Sequence, residues 1–222
     1  MRNNTIVSSH KSLCLVGGGP IENEAIVAIW SQVEAFVGVD SGADHLLAAS
    51  VTPAAVIGDL DSLSDHARTT FADILHEVPE QSTTDFEKAL VRVAAPLIFG
   101  LGFTGARLDH TLSVLNVIAQ YPQKAVILID ADDASFLARM GQTTFQAAQG
   151  TRVSIMPLGT ATVTAAGLQW PFTRTVMTPN GFTSPSNVAL GGKVTIETDG
   201  PVLITLPRAL LSIAAQAAVR AG

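Results

Sequence analysis

The chain has 222 residues, 47% hydrophobic and 14% charged, a composition that fits a folded globular protein and excludes a disordered one. A formal net charge of −6 argues against a nucleic-acid-binding surface. No apolar run approaches the ~18–20 residues of a membrane span. The charge is uneven: residues 1–140 hold 8 Lys/Arg against 17 Asp/Glu (8 − 17 = −9), residues 141–222 hold 5 against 2 (5 − 2 = +3). Two units with different tasks are expected, 1–140 and 141–222.

The single cysteine, Cys14, sits in the apolar run Leu13-Cys14-Leu15-Val16, so no intramolecular disulfide can form. A buried core thiol in a reducing, cytoplasmic setting is the expectation. The N-terminus also lacks the continuous apolar stretch of a signal peptide, so a soluble protein is expected.

In chain order, residues 13–16 read as a strand followed by Gly17-Gly18-Gly19-Pro20. Proline at a first helical position predicts a helix through about Trp30. The glycine turn can bring backbone N–H groups to a phosphate, but it lacks the spacing of the dinucleotide and P-loop fingerprints. A tight strand-to-helix turn explains it equally well. A second strand, 35–39, ends in Asp40-Ser41-Gly42-Ala43-Asp44, where Ser41 and Asp44 read as a capping box for a helix over 42–50. Asp40 is left without a structural explanation.

The third strand leads into Gly58-Asp59-Leu60-Asp61-Ser62. In extended backbone, residues two apart face the same side, so both carboxylates can address one point. Hard oxygen donors there suit Mg²⁺, although Asp-x-Asp-Ser is also an ordinary polar turn. A polar helix near 64–73 and a short strand at 76–78 follow. Thr84 and Glu87 form a second capping box, which places Asp85 in a first helical turn, where the helix dipole favours a carboxylate. Strand 96–99 precedes the glycine-bearing loop 100–110. The helix over 108–120 carries Leu108, Leu112, Leu115 and Ile118 as a core-facing stripe. One more buried strand covers 125–130.

Alternating strands and helices predict an α/β unit with a mainly parallel sheet. From about residue 141 the pattern becomes antiparallel: β-branched segments at 151–156, 161–165, 193–198 and 202–206 are separated by Gly, Pro and Asn turns. A sandwich-like all-β unit is expected, closed by a helix over 208–220.

Parallel topology gathers the carboxyl ends of strands on one edge, so Asp40, Asp59, Asp61, Asp85, Arg107 and Asp109 can converge there. Carboxylates holding Mg²⁺ and an arginine stabilising phosphoryl charge are the parts of a metal-polyphosphate site. Four histidines, His10, His45, His66 and His76, lack ligand spacing, and His110 suits a supporting role beside Asp109. No zinc site is expected.

Read as a whole, the chain resembles the thiamin pyrophosphokinase family over residues 38–206. The resemblance rests on Val39-Asp40-Ser41-Gly42-Ala43, Ile57-Gly58-Asp59-Leu60-Asp61-Ser62, Thr84-Asp85-Phe86-Glu87-Lys88-Ala89-Leu90 and Gly105-Ala106-Arg107-Leu108-Asp109-His110. In the second unit it rests on Gly167-Leu168-Gln169-Trp170 and Ser184-Pro185-Ser186-Asn187. It implies an α/β domain followed by a β-sandwich, a homodimer, and Mg²⁺-dependent transfer of a pyrophosphoryl group from ATP to thiamin with release of AMP.

It further implies Asp59, Asp61 and Asp85 as the metal and phosphate centre, and Arg107, Asp109 and Asp40 on the ATP side. Gln81, Ser184, Ser186 and Asn187 are implied for the thiamin pocket, the last three from the partner subunit. Trp170 is expected to be a core residue at a strand end. Ser82 stands where an acidic residue is common in the family, and Ala106 where a glycine is. Three rival readings share these residues: a pyrophosphokinase for a pterin-like alcohol, a nucleotide hydrolase, and a non-catalytic nucleotide-binding regulator.

Overall fold

The computed structural model describes residues 5–219 and divides into two compact units, Met1–Val117 and Ile118–Gly222. The division falls inside a helix, ahead of the change of pattern near 140.

The first unit contains strands β1 (Val7–Ser8), β2 (Leu13–Val16), β3 (Ala35–Val39), β4 (Ala55–Gly58), β5 (Leu75–Glu77), β6 (Val93–Ala94) and β7 (Ile98–Leu101). Strands β1 and β6 form a parallel pair. The others lie in the order β7-β2-β3-β4-β5, every neighbouring pair parallel. Helices α1 (Asn23–Ile29), α2 (Gly42–Ala48), α3 (Asp65–Thr70), α4 (Asp85–Leu90) and α5 (Leu108–Gln120) alternate with them. All four residues of β2 are fully buried, as are those of β4. Continuous apolar runs, rather than alternating ones, are what a strand covered on both faces requires. One core cluster joins Ala43 of α2, Val56 of β4, Ala67 of α3, and Leu60, Leu63 and Phe71.

Several local readings change on folding. The first helix begins at Asn23 rather than at Pro20, because Gly19 spends its N–H on the Gly102 carbonyl at 2.9 Å. Ser41 makes no side-chain cap. Asp44 instead accepts from the Ser64 N–H at 3.3 Å and from the Ser64 hydroxyl, while Ser64 caps α3 through the Ala67 N–H at 3.1 Å. Asp44 and Ser64 are therefore a tie between α2 and α3, and Ser41 and Asp44 do not form a capping box. Along α5 the buried positions are Val114, Val117 and Ile118, whereas Leu108 and Leu112 are 71% and 56% exposed. The cavity takes Asp109, His110, Thr111, Ser113 and Val114 from α5, and Leu108 and Leu112 lie outside its lining.

The second unit contains β8 (Val126–Ile129), β9 (Asp133–Leu137), β10 (Gly141–Ala147), β11 (Arg152–Pro157), β12 (Ala161–Ala166), β13 (Phe172–Met177), β14 (Ser184–Val188), β15 (Gly192–Thr198) and β16 (Val202–Pro207). They form two antiparallel arrays, β14-β11-β16-β9-β8 and β10-β15-β12-β13. A 3₁₀ turn, Arg208–Leu210, leads into α6 (Leu211–Val219), and Arg220 lies outside the described residues. Burial alternates along β10, β11, β12 and β15, with one face apolar, as period 2 requires.

Residues 184–187 belong to β14. Its pairing with β11 slips between Val153 and Ile155, and Ser186 takes φ 54°. Trp170 is 57% exposed, not a core residue. Its backbone N–H and carbonyl are taken by the side chain of Asn187, at 3.2 and 2.8 Å, so the polypeptide is fastened there while the indole stays out.

Candidate active site

The carboxyl ends of β3 and β4 build the centre of the site. Asp40 follows β3 directly, in a left-handed conformation (φ 48°), a region in which Asp is enriched among non-glycine residues. Its N–H donates to the Ile57 carbonyl at 3.0 Å, which fixes it against β4. Gly58 permits this approach, since a Cβ there would sit 3.0 Å from the Asp40 Cβ. Gly42 is required for a similar reason: a Cβ would fall 1.8 Å from the Val16 carbonyl oxygen.

The expectation that Asp59 and Asp61 share a side through extended backbone is not how they meet. Strand β4 stops at Gly58, and Leu60 is left-handed (φ 63°) and 2% exposed. A buried leucine is worth about 1.5–3 kcal/mol, enough to offset the roughly 1–3 kcal/mol of a non-glycine left-handed residue. Leu60 thus pins the turn into the core, and the two aspartates project beside it, with the Asp61 N–H 3.4 Å from Asp59 Oδ1.

One carboxylate oxygen from each of Asp40, Asp59 and Asp61 lies within 4.8 Å of the others. This group differs by one member from the Asp59, Asp61 and Asp85 set that the sequence suggested. Asp85 turns its Oδ1 to the Asp59 N–H (3.2 Å) and to Lys88 Nζ (3.0 Å). Helix α4 places it there, capped by Thr84 through the Glu87 N–H at 3.3 Å. Lys88, a residue to which sequence reasoning gave no role, is 1% exposed and lies 3.0 Å from both Asp59 Oδ2 and Asp85 Oδ1. Its signal was the i,i+3 spacing from Asp85, which puts both on one helix face. Gln81 Nε2 donates to Asp59 Oδ2 at 3.1 Å.

Electrostatics follow from these contacts. Burial pushes the Asp40 carboxyl above its usual range, aided by the negative charges of Asp85, Asp59 and Asp61. Burial also raises Asp59, but hydrogen bonds from Lys88 and Gln81 outweigh it and hold the group low. Desolvation pulls Lys88 down, and its bonds to Asp85 and Asp59 bring it above its ordinary value. Asp40 Oδ1 is buried without a hydrogen-bond partner. Three carboxylates this close, one of them with an unpaired oxygen, fit a divalent cation with a preference for oxygen ligands, and Asp40, Asp59 and Asp61, with Asp85 beside them, could hold it.

A cavity of about 730 Å³ surrounds the cluster. Asp40, Asp59, Asp61, Gln81, Asp85, Arg107 and Asp109 all line it, together with the Gly17–Gly19 turn and Phe103. Phe103 meets Phe86 edge-on, with centroids 4.7 Å apart. His45 Nε2 lies 3.0 Å from the Gly19 carbonyl and braces that turn. Arg107 and Asp109 form an exposed two-point pair, Nη2 to Oδ2 at 2.6 Å and Nε to Oδ1 at 3.2 Å. Hydrogen bonding in this pair raises the guanidinium pKa and lowers that of the carboxyl.

Ser184, Ser186 and Asn187 lie in the second unit and are not among the lining residues. There the buried Asn187 donates to Ser184 Oγ at 3.0 Å as well as fastening Trp170, and the exposed Ser186 takes the Ser154 hydroxyl oxygen on its N–H at 3.0 Å.

A parallel α/β unit that gathers carboxylates, an arginine and a glycine turn around one cavity has the build of a phosphoryl-transfer enzyme. The chain belongs to the thiamin pyrophosphokinase family, a family of transferases. Residues 26–129 match the model for the thiamin pyrophosphokinase catalytic domain, and residues 142–203 that for its vitamin B1 binding domain. Thiamine pyrophosphokinase 3 of Oryza sativa subsp. japonica is 30% identical over 175 residues, covering 69% of this chain and 66% of that protein. Thiamine pyrophosphokinase 1 of Arabidopsis thaliana is 28% identical, covering 69% and 65%. The matched region therefore spans slightly under two thirds of these relatives' length.

Among solved structures, thiamin pyrophosphokinase from Geobacillus thermodenitrificans superposes with TM-score 0.73 at 25% identity, over 88% of this chain and 96% of that one. The enzyme from Candida albicans gives TM-score 0.76 over 92% and 93%, at 16% identity, a likeness of fold.

Proposed function

We propose that the chain transfers a pyrophosphoryl group from ATP to the hydroxyl of thiamin, giving thiamin diphosphate and AMP. The observation that carries the reading is the convergence of Asp40, Asp59 and Asp61 on one point of a cavity large enough for a nucleotide, with a buried carboxylate oxygen left unpaired. Mg²⁺, when bound, supplies positive charge to the polyphosphate oxygens. Asp59, Asp61 and Asp85 hold it in this reading, with Asp40 a further carboxylate of the same cluster.

Arg107 is the phosphate-side cation, released from Asp109 to meet charge on the transferred group. In the glycine turn at 17–19 the N–H groups of Gly17 and Gly19 are taken by the Leu101 and Gly102 carbonyls, which leaves the Gly18 N–H to meet the triphosphate. Gln81 and the Ser184, Ser186 and Asn187 segment serve the acceptor, the latter from a second copy in a homodimer. In this reading residues 1–140 carry ATP and metal on the mainly parallel sheet, and 141–222 form the sandwich that binds thiamin. The match to a vitamin B1 binding domain favours thiamin over a pterin alcohol.

No described helix is long and apolar enough to cross a membrane. In this reading the enzyme is cytoplasmic, a setting in keeping with the buried free thiol of Cys14.

The test is to incubate purified protein with Mg²⁺, thiamin and ATP labelled in the β-phosphate. Label in thiamin diphosphate, with AMP formed only when thiamin is present, is the expected result. Label released as free phosphate, or AMP formed without acceptor, overturns it.

A further inference from the structure

Consecutive glycines have no side chains to hold them in place, and glycine loses more conformational freedom on ordering than any other residue. The turn Gly17-Gly18-Gly19 is nevertheless fastened at both ends. The Gly17 N–H donates to the Leu101 carbonyl at 2.8 Å, and the Gly19 N–H to the Gly102 carbonyl at 2.9 Å. The surroundings leave no room for side chains. A Cβ on Gly17 would lie 2.6 Å from the Phe103 ring, and one on Gly18 2.1 Å from Ser41 Oγ. The Gly19 carbonyl has a partner of another kind, His45 Nε2 at 3.0 Å. A carbonyl only accepts, so Nε2 carries the proton. Helix α2 gives the imidazole a fixed base, since Gly42, Ala43 and Leu46 of that helix are buried.

We infer that His45 is a positioning residue for the nucleotide, which acts through the Gly19 carbonyl to aim the Gly18 N–H into the cavity. Gly17, Gly18 and Gly19 line that cavity and His45 does not. Among the described residues Gly18 is the member of the turn whose N–H has no backbone acceptor. With His45 in place Gly19 is gripped at its N–H and at its carbonyl, so the peptide that joins it to Gly18 cannot swing. The next residue, Pro20, has no N–H, which leaves the carbonyl as the one handle on the Gly19–Pro20 peptide. The inference rests on the proposed reading for the identity of the nucleotide, but its binding measurement does not require the transfer to occur.

The experiment is a calorimetric titration with Mg²⁺ and an ATP analogue whose α- and β-phosphorus are bridged by methylene, run beside steady-state kinetics. It compares the parent chain, His45→Leu, which removes the donor, and His45→Gln, whose amide nitrogen stands as many bonds from the backbone as Nε2. The Leu variant should bind the analogue about fivefold to tenfold more weakly, the effect of one lost hydrogen bond and a looser turn. The Michaelis constant for ATP should rise in step, while kcat and the Michaelis constant for thiamin stay within about twofold, because the turn holds ground state and transition state alike. The Gln variant, which keeps a donor, should return every value to within about twofold of the parent.

Parent-like analogue binding by His45→Leu with a parent-like circular dichroism spectrum overturns the inference. So does a Gln variant as weak as the Leu variant, or a parent chain that binds no analogue at millimolar concentration. If the Leu variant does not fold, His45→Asn decides, because its amide ends one bond short of the Gly19 carbonyl. Weakened analogue binding by the Asn variant then supports the inference, and parent-like binding refutes it. The binding pattern without any thiamin-dependent AMP supports the role of His45 while removing the proposed activity.

Discussion

Asp85 Oδ1 lies 3.2 Å from the backbone nitrogen of Asp59, so the first turn of α4 clasps the end of β4. Through this contact a residue 26 positions away fixes where the Asp59 carboxylate can point. Replacing Asp85 with Ala strips the Asp59 N–H and Lys88 of a shared acceptor. A loss of about 1–3 kcal/mol is expected from partly buried groups left unpaired. Asp85→Asn keeps an acceptor oxygen and should lose less. Urea unfolding of the three proteins checks the order, and equal midpoints for Ala and Asn would show that the clasp contributes nothing.

Asp59→Asn should lower turnover by about two or more orders of magnitude while the protein stays folded, because it removes negative charge from the cation site and from the partner of Lys88. Steady-state kinetics at saturating ATP and thiamin, alongside a thermal melt, provide the check. A variant that keeps more than about a tenth of parent turnover contradicts the assignment.

Arg107→Ala should reduce turnover by roughly tenfold to a thousandfold and leave thiamin affinity within about twofold, since its task is on the phosphate side. Asp109→Asn leaves the guanidinium unpaired and should lower the Michaelis constant for ATP. Both are read from initial rates with each substrate varied in turn. A thiamin-binding defect in Arg107→Ala would move the residue to the acceptor side.

Leu60 joins a stability role to a site role. Leu60→Ala should cost about 2–5 kcal/mol through the cavity it leaves in the cluster with Val56 and Phe71. Leu60→Gly relieves the left-handed backbone but also loses the anchor, so it should destabilise the protein less than the Ala variant per methylene removed yet abolish activity equally. Denaturant melts and turnover separate the two effects.

Glu80 gives a pH-dependent signature. Its carboxylate accepts from the Ser82 hydroxyl at 2.6 Å and from the Thr83 hydroxyl, and from the N–H groups of Ser82 and Thr83 at 2.8 and 3.1 Å. These bonds hold its pKa at about 2, below the ordinary 4.5. Because the folded value is the lower one, the stabilisation is complete above about pH 4.5 and is lost as the pH falls towards 2. The melting-temperature difference between parent and Glu80→Gln should be constant above that range and shrink below it. A difference that grows in acid would reverse the assignment.

The sequence alone determined much of this protein. Unbroken apolar runs such as Leu13–Val16 and Val126–Ile129 announce strands covered on both faces, since no other short element buries every side chain. The aspartates at strand ends, Asp40, Asp59 and Asp61, were visible because nothing local explained them all, and parallel topology sends such ends to one edge. The family likeness lay in the same motifs.

Tertiary structure decided the rest. Leu60 reads as one apolar residue between two acids, and only packing against Ala43, Val56 and Phe71 makes its left-handed backbone tolerable. The apolar pattern of α5 was clear, but which positions are covered depends on packing outside any local window, so Val114 and Val117 are buried where Leu108 and Leu112 are not. Asp44 matched a local capping rule, yet a serine 20 residues away offered the better partner. Lys88 carried one local signal, its i,i+3 spacing from Asp85. Its burial between two carboxylates arises from the docking of α4 beside β4, a long-range contact that no local window of sequence contains.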